Sequence, residues 1–446
     1  MTAWKLSHYS ALFAGHGGEL LLCNSFMGAL TRIPATSAAA VFRAAREGIP
    51  DDAPDEPFRM LREHGYFVPD DIDEVGLVTE LLHRERSTSG QELIVMPHED
   101  CNFRCVYCYE DFARGMMKPP VVNALKLLAE REVERWGRLH ISWFGGEPLL
   151  AKRAVFDLSE AFMETCARAG VRYSSAMTTN GYYLTPEVAG RLLACRVNFF
   201  QITLDGPEHA HNARRHLRKG GPSYARVLEN IVAMTQRSDD FTIRLRVNFD
   251  PDSFDAIKGW FDEIGPLLAA DDRIQLAFHP IGKWGGANDP NLHVCTEDAA
   301  WTSKLDLFET SVDHGFKAAT FRGFLAAHGS TCYAGRAGSM VIGSDGRIYK
   351  CTVAFNDPRN QVGQLEPDGS LSIDRAKWDR WVSTDGLEDG KCGSCWFNAA
   401  CQSRACPLVA MDTNVPPCPT HEREMRDIIE LSAYGRRTPE PARAMS

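Results

Sequence analysis

The sequence predicts an α/β chain: a sheet of six parallel strands, each followed by a helix or a crossing segment, set between a small N-terminal region and a cysteine-rich C-terminal one. Three observations carry that prediction. Between Gln91 and Phe278, strand-length apolar stretches alternate with helical repeats six times, and such alternation builds parallel strands with right-handed crossovers. Three cysteines, Cys101, Cys105 and Cys108, share the loop after the first of these strands. Seven more, Cys332, Cys351, Cys392, Cys395, Cys401, Cys406 and Cys418, form a second spaced set.

The totals exclude several classes of function. The chain has 446 residues and a formal charge of −10, with 44% hydrophobic and 24% charged residues. That is a globular composition, and its sign speaks against nucleic acid or an anionic membrane as a partner. No apolar run approaches the ~18 residues of a membrane span, and the first ten residues lack an apolar segment of signal-peptide length. A cytoplasmic location is expected, where thiols stay reduced. Ten of the 14 cysteines fall into the two spaced sets, which points to metal and away from disulfides. Cys23, Cys166 and Cys195 sit in apolar surroundings and read as buried free thiols.

Taken in order, Leu6–Phe13 and Glu19–Cys23 read as strands joined by a turn at Gly15–Gly18. Ala38, Val41, Phe42 and Ala45 have helical spacing. Residues 49–57 form a loop, and Phe58–His64 and Asp73–Arg84 form helices with Tyr66–Val68 between them. The six strands are Gln91–Met96, His140–Phe144, Arg172–Thr178, Val197–Leu204, Phe241–Phe249 and Ile274–Phe278. The helices are Pro119–Trp136, Val155–Ala169, Pro186–Cys195, Tyr224–Gln236 and Phe254–Leu268. The cysteine loop, Gly145, Asn180 and Asp205 all follow strands, where α/β barrels keep their chemistry. The long loop His279–Cys295 suits a lid or a substrate contact, with Trp284 either packing on substrate or anchoring the loop. Ser339–Lys350 reads as a hairpin turning at Gly343–Gly346, with Cys332 and Cys351 at the two ends of one small sheet. From Tyr434 the chain loses apolar periodicity and reads as a mobile tail.

The spacing Cys101-x-x-x-Cys105-x-x-Cys108 brings three thiolates together, enough for three corners of a [4Fe–4S] cluster with the fourth iron open to a small chelating molecule. Zinc is the alternative, but a structural zinc wants four protein ligands and only three are local. With aromatic Tyr107 beside the last cysteine, this stretch resembles the radical S-adenosylmethionine (radical SAM) enzymes. The resemblance implies an open, partial (β/α)6 barrel. It implies SAM bound to the open iron through its amino and carboxylate groups. One electron then cleaves SAM to methionine and a 5′-deoxyadenosyl radical, which removes hydrogen from a substrate. It also implies cofactor contacts at Tyr107, at the Gly145-Gly146-Glu147-Pro148 turn, at Asn180, at Asp205 and at Arg215. The turn would hold the SAM amino group and Asn180 the ribose or carboxylate, with an ordinary Asn-Gly turn as the alternative. Arg215 would meet the carboxylate, with Arg214 as the near alternative. Family members commonly carry Asp where this chain has Asn212. His209 and His211 read as structural, and Glu110 and Asp111 as helix-start or solvent-facing charges.

The second cysteine set resembles the SPASM domain, which carries two auxiliary iron–sulfur clusters. By position, Cys392, Cys395, Cys401 and Cys418 would ligate one. Cys332, Cys351 and Cys406 would hold the other, with Cys295 as a candidate fourth ligand. Two zinc ribbons are the rival, and seven cysteines do not divide into two sets of four. The N-terminal region resembles the winged-helix domains that dock a precursor's leader segment as an added strand; a capping domain that binds nothing is the alternative. The expected domains are residues 1–90, 91–320 and 321–433, with a tail from 434 to 446. The resemblance implies an enzyme that modifies a ribosomally made precursor peptide by a thioether or carbon–carbon cross-link. Bond closure after hydrogen abstraction releases one electron, which an auxiliary cluster can accept. A flavodoxin or ferredoxin would supply the reducing electron. The alternative is an anaerobic sulfatase maturase that forms formylglycine. Those enzymes carry a basic Asp just after the cysteine aligned with Cys351, where this chain has Thr352. A plain iron–sulfur electron carrier would need neither the Gly-Gly-Glu-Pro turn nor an open iron.

Overall fold

The structure is a computed structural model that describes residues 4–49, 55–88, 90–317, 322–383, 390–419 and 422–437. Most of the expected 49–57 loop and residues 438–446 of the expected tail lie outside the described residues. The chain forms two compact units, one of residues 88–317 and 338–378, the other of residues 1–87, 318–337 and 379–446.

In the unit holding the N-terminus, strands β1 (Trp4–Leu6), β2 (Ser10–Ala14), β3 (Leu20–Asn24), β4 (Ala29–Ile33) and β5 (Phe67–Pro69) form two sheets. β1 pairs with β5, and β2–β3–β4 is an antiparallel sheet in sequence order. The expected single strand Leu6–Phe13 is therefore two. It breaks where the backbone amide of Tyr9 bonds the Ser7 hydroxyl at 3.2 Å. β4 was not legible, because its start depends on a turn with Gly28 at φ 66°. The helix Ala35–Glu47 buries Val41 and Ala44, while Phe42, expected on that face, is 52% exposed. Val41 packs with Leu22, Leu61, Tyr66 and Phe67 in one apolar cluster.

The C-terminal segments of this unit share that architecture. The helix Glu422–Tyr434 contacts β3 and β4. Tyr434, expected to begin a mobile tail, is its last residue. The Tyr434 hydroxyl donates to Glu19 at 2.9 Å, accepts from the His16 amide at 3.1 Å, and its ring stacks on His16 at 3.9 Å. Trp396 lies edge-on to Phe13 at 5.8 Å, and its carbonyl accepts from Ser25. Tyr9, Val78 and Ala399 form a further buried cluster.

The other unit is built on the six expected strands: β6 (Gln91–His98), β7 (Arg138–Gly145), β8 (Arg172–Thr179), β9 (Val197–Thr203), β10 (Thr242–Phe249) and β11 (Ile274–Pro280). They pair in parallel and in sequence order. The helices between them start and stop on local chemistry. Pro119 and Pro120 open the helix Pro119–Trp136, and Gly137 closes it in the left-handed region. The Thr185 hydroxyl accepts from the Val188 amide and caps the helix Pro186–Ala194. The expected hairpin turning at Gly343–Gly346 is present, but it extends this sheet and does not form a small one of its own. β12 (Ser339–Ile342) runs parallel to β6, followed by β13 (Arg347–Tyr349), β14 (Gln361–Leu365) and β15 (Leu371–Ile373), ten strands in all.

The two faces of the six-stranded core differ. On β10, Ile243, Leu245, Val247 and Phe249 are fully buried; each contributes roughly 1.5–3 kcal/mol. The alternate positions Thr242, Arg244, Arg246 and Asn248 are polar, and the first three are at least partly exposed. The same alternation places Glu92, His140, Ser142, Ser174 and Gln201 on the half-exposed face. Strands covered on both faces are apolar throughout, so this polar inner face leaves a space that side chains do not fill.

Candidate active site

The first cysteine triplet leaves β6 and stays irregular to Met117 before the helix at Pro119. Its backbone is bound to the segment after β9: the Arg104 amide donates to the His216 carbonyl at 3.0 Å, that of Val106 to Arg214 at 2.9 Å, and that of Arg218 to Asn102 at 2.7 Å. The Arg104 side chain holds the loop from within, donating to the carbonyls of Cys101 and Phe103 at 2.7 Å each. Cys101, Cys105 and Cys108 all line one open cleft enclosing about 1040 Å³ with its mouth. Burial pushes the three thiols up, Cys108 to about 12. Only a bound cation makes such groups thiolates at neutral pH. Among the described residues no three His, Cys, Asp or Glu side chains converge tightly enough to hold a single metal ion. Three cysteine thiols from one short loop, lining one cleft, are the donor set of a cluster in which each binds a different iron. The residues present therefore fit a cluster.

The glycine turn after β7 is positioned by the same loop. A Cβ on Gly145 would lie 2.4 Å from the His98 carbonyl oxygen, and one on Gly146 2.5 Å from that of Asp100. The expected close approach is thus first to the cysteine loop's own backbone. Both glycines also line the cleft, whereas Glu147 does not. Its fully buried carboxylate accepts from the amides of Leu149 and Asn180 at 2.9 and 2.8 Å and from the Thr179 hydroxyl at 2.8 Å. Glu147 therefore acts by tying the end of β7 to the end of β8. That bond sets Asn180, which lines the cleft and donates from Nδ2 to Asn102 at 2.7 Å and to the Cys101 sulfur at 3.6 Å.

The third group is a buried cluster around Tyr107. Its hydroxyl donates to Asp205 and accepts from Arg215 at 2.8 Å and from Asn248 at 3.0 Å. Asp205 also accepts from the Asn248 amide at 2.8 Å. Burial, with Asp205 and Cys105 nearby, drives the Tyr107 phenol well above its ordinary range, so it stays protonated. Arg215 lines the cleft and its Nε has no partner among the described residues. Arg214, the alternative, is paired with Asp250 at 2.8 Å and lies outside the cleft lining. Asn212, the departure from Asp, accepts from the amides of Ser223 and Tyr224 at 2.8 and 3.0 Å and so caps the next helix. His211 is structural, as expected. Its Nδ1 accepts from the Asp205 amide at 3.1 Å and its Nε2 meets Ser223 at 3.0 Å. His209 is exposed.

Other parts of the cleft were not foreseen. Glu110 is neither a helix start nor solvent-facing: it lines the cleft, one carboxylate oxygen is buried without a partner, and burial beside Glu99 and Asp111 raises it to about 8. Gln201, Thr203, Arg246 and Asn248 contribute from β9 and β10. Their signal was the polar alternation in strands that a parallel sheet would otherwise keep apolar. The 279–295 loop reaches the cleft through Ile281, Gly282 and Trp284. It is moored where Asn288 donates to the Val106 carbonyl at 2.9 Å. Trp284 is 58% exposed, so it does not anchor the loop to a core. Cys295 neighbours Asp250, and the cause of its raised thiol is burial.

In the other unit, Cys392, Cys395, Cys401 and Cys418 are near enough for the thiols of Cys395 and Cys401 to be raised by their neighbours, after burial. Cys332 and Cys406 belong to this unit as well, the Cys332 amide donating to the Arg404 carbonyl at 2.9 Å. Cys351 belongs to the unit that holds the cleft.

A strand-end cysteine triplet over an open parallel sheet defines a class, and residues 95–255 match the model of the Radical SAM superfamily. These residues form a radical SAM domain, and that superfamily implies a [4Fe–4S] cluster and SAM. The chain's relatives include the serine-type anaerobic sulfatase-maturating enzyme of Klebsiella aerogenes, 22% identical over 333 residues, 69% of this chain and 77% of that one. Mycofactocin maturase MftC of Mycolicibacterium smegmatis is 25% identical over 335 residues, 71% of this chain and 78% of that one. Among solved structures, native anSMEcpe with bound AdoMet superposes with a TM-score of 0.54 at 16% identity, covering 77% of this chain and 97% of that one; this likeness shows the shared fold. Among the described residues no helix is long and apolar enough to cross a membrane.

Proposed function

We propose that the chain matures a ribosomally made peptide, forming a thioether or carbon–carbon cross-link beside the cleft. The observation that carries this is the cleft itself: three cysteines in its lining, a polar inner sheet face, and exposed Trp284 at the 279–295 loop. A site that must admit a polymer segment needs this openness, and an indole at its mouth suits a peptide contact. The mycofactocin maturase relative supports the peptide class. When bound, the cluster and SAM supply a 5′-deoxyadenosyl radical. The chain's share is binding, orientation and exclusion of water. Arg215, Asn180 and the Gly145–Gly146 backbone would hold SAM, and the Tyr107–Asp205–Asn248 bonds would fix Arg215. Residues 1–90 would dock the leader, and the C-terminal cysteines would hold two auxiliary clusters. An external flavodoxin or ferredoxin would supply reducing electrons. The workplace would be the cytoplasm.

Cross-linking removes two hydrogens from the peptide, one as the abstracted atom and one as a proton with an electron. The test is anaerobic incubation of reconstituted enzyme, SAM and reductant with short peptides encoded beside its gene, followed by mass analysis. A peptide lighter by two hydrogens and unreactive to hydrazide reagents supports the proposal. A hydrazide-reactive aldehyde supports the second reading, formylglycine formation, which the sulfatase-maturating relatives favour and Thr352 after Cys351 disfavours.

A further inference from the structure

The geometry points to a carboxylate-binding subsite on the β10–β11 wall of the cleft, centred on Arg246 and backed by Arg244, that takes a carboxylate of the substrate peptide near the reacting residue. This deepens the peptide reading above and rests on it. Arg246 lines the cleft. Its Nε donates to Asn248 Oδ1 at 2.8 Å, and no carboxylate pairs with its guanidinium among the described residues. One turn of the pleat below, Arg244 shares the inner face. Its guanidinium lies 4.9 Å from the Phe199 ring centroid, again with no ion pair. Their cross-strand neighbours are neutral: Gln201 and Gln275 flank Arg244, and Thr203 and Ala277 flank Arg246. Glu110, an acid in the same cleft, makes no bond to either.

The local field agrees with this. Next along the inner face of β11, His279 is held down to about 3 by burial and then by Arg246, Lys304 and Arg244, with no acid opposing them. Two cations placed side by side on a half-buried wall repel each other and lose hydration. An arrangement of that kind is relieved by an anion of matching geometry, and a guanidinium fork suits a carboxylate. SAM brings a carboxylate of its own, but Arg215, bonded to Tyr107 and close to Cys105, stands for that role, while Arg246 lies on β10.

The test uses the reconstituted full chain saturated with SAM and two matched probe pairs. One pair is acetyl-Gly-Tyr-Gly-Glu-Gly-amide and its Gln counterpart; the other is acetyl-Gly-Tyr-Gly with a free or an amidated C-terminus. Binding is read by saturation-transfer NMR titration. The expected result is that the acid of at least one pair binds about tenfold more tightly than its neutral partner. The pair that discriminates tells a side-chain carboxylate from a terminal one. Arg246→Gln should abolish the preference while SAM affinity stays within about twofold. Arg244→Gln should reduce it. Equal binding within both pairs overturns the subsite and leaves the peptide reading standing. Failure of all four to bind overturns both. A large loss of SAM affinity in Arg246→Gln assigns this arginine to SAM and overturns the subsite.

Discussion

At the scale of single residues, the site is organised by side chains that are not exposed to it. His211 shows how. Its Nδ1 accepts from the Asp205 amide, so its proton sits on Nε2, facing Ser223, and Ser223 in turn donates to the Arg215 carbonyl at 2.6 Å. Protonating Nδ1 would set two donors against each other in a dry site, and burial holds this imidazole down to about 2. The unfolded chain takes up that proton near pH 6.5, before the folded one does. Stability from this group is therefore complete above that pH and is lost as pH falls toward 2, at about 1.4 kcal/mol per unit. His211→Gln removes this linkage. The stability gap between wild type and variant should narrow by about 2 kcal/mol between pH 7 and pH 5 in urea unfolding; an unchanged gap contradicts the account. Asp205→Asn tests the neighbouring group. It removes the one acid bonded to Tyr107 and leaves the buried Arg215 uncompensated, for an expected loss of about 3–5 kcal/mol. Unfolding within about 0.5 kcal/mol of wild type would show the cluster to be dispensable.

At the scale of elements, the recurring device is a strand end held against its neighbour. Glu147 joins β7 to β8, and Asp205 joins the end of β9 to β10. Glu99 joins the cysteine loop to the β12–β13 turn, accepting from the Ser344 amide and hydroxyl at 2.7 Å each. The glycine turn does the same by lacking a side chain. Gly146→Ala should displace the Asp100 backbone, and iron retained at the first cluster after anaerobic reconstitution should fall by more than half, while the far-UV spectrum stays native. Full iron retention would contradict that role for the glycine. The six strands and most of their helices were legible because each repeats its apolar period locally. Phe254–Leu268 and Pro119–Trp136 match to the residue. What escaped depended on contacts distant in sequence. β12 joins β6 across 247 residues, and the bonds of Glu147 are visible only once β8 lies beside it. Arg246 had left a trace in the polar alternation of its strand, and reading that strand for its face as well as its existence would have found it.

At the scale of the whole molecule, segments far apart in the chain fold into one unit. Residues 1–87 share buried contacts with the helix Glu422–Tyr434 and with the segment around Trp396, between Cys395 and Cys401. Removing residues 1–87 should therefore expose the apolar surface around Ala399 and Trp396 and lower iron bound by the C-terminal cysteines as well as any leader affinity. A truncated chain that stays monomeric with full iron would show that the segment is an independent appendage. In the other unit, Cys101, Cys105 and Cys108 would hold a cluster with one iron open to SAM. The most direct measurement is 5′-deoxyadenosine released by anaerobically reconstituted protein with SAM and dithionite. The account predicts its formation by the wild type and its loss in Cys105→Ala; no release from fully iron-loaded wild type, or undiminished release from the variant, would contradict it.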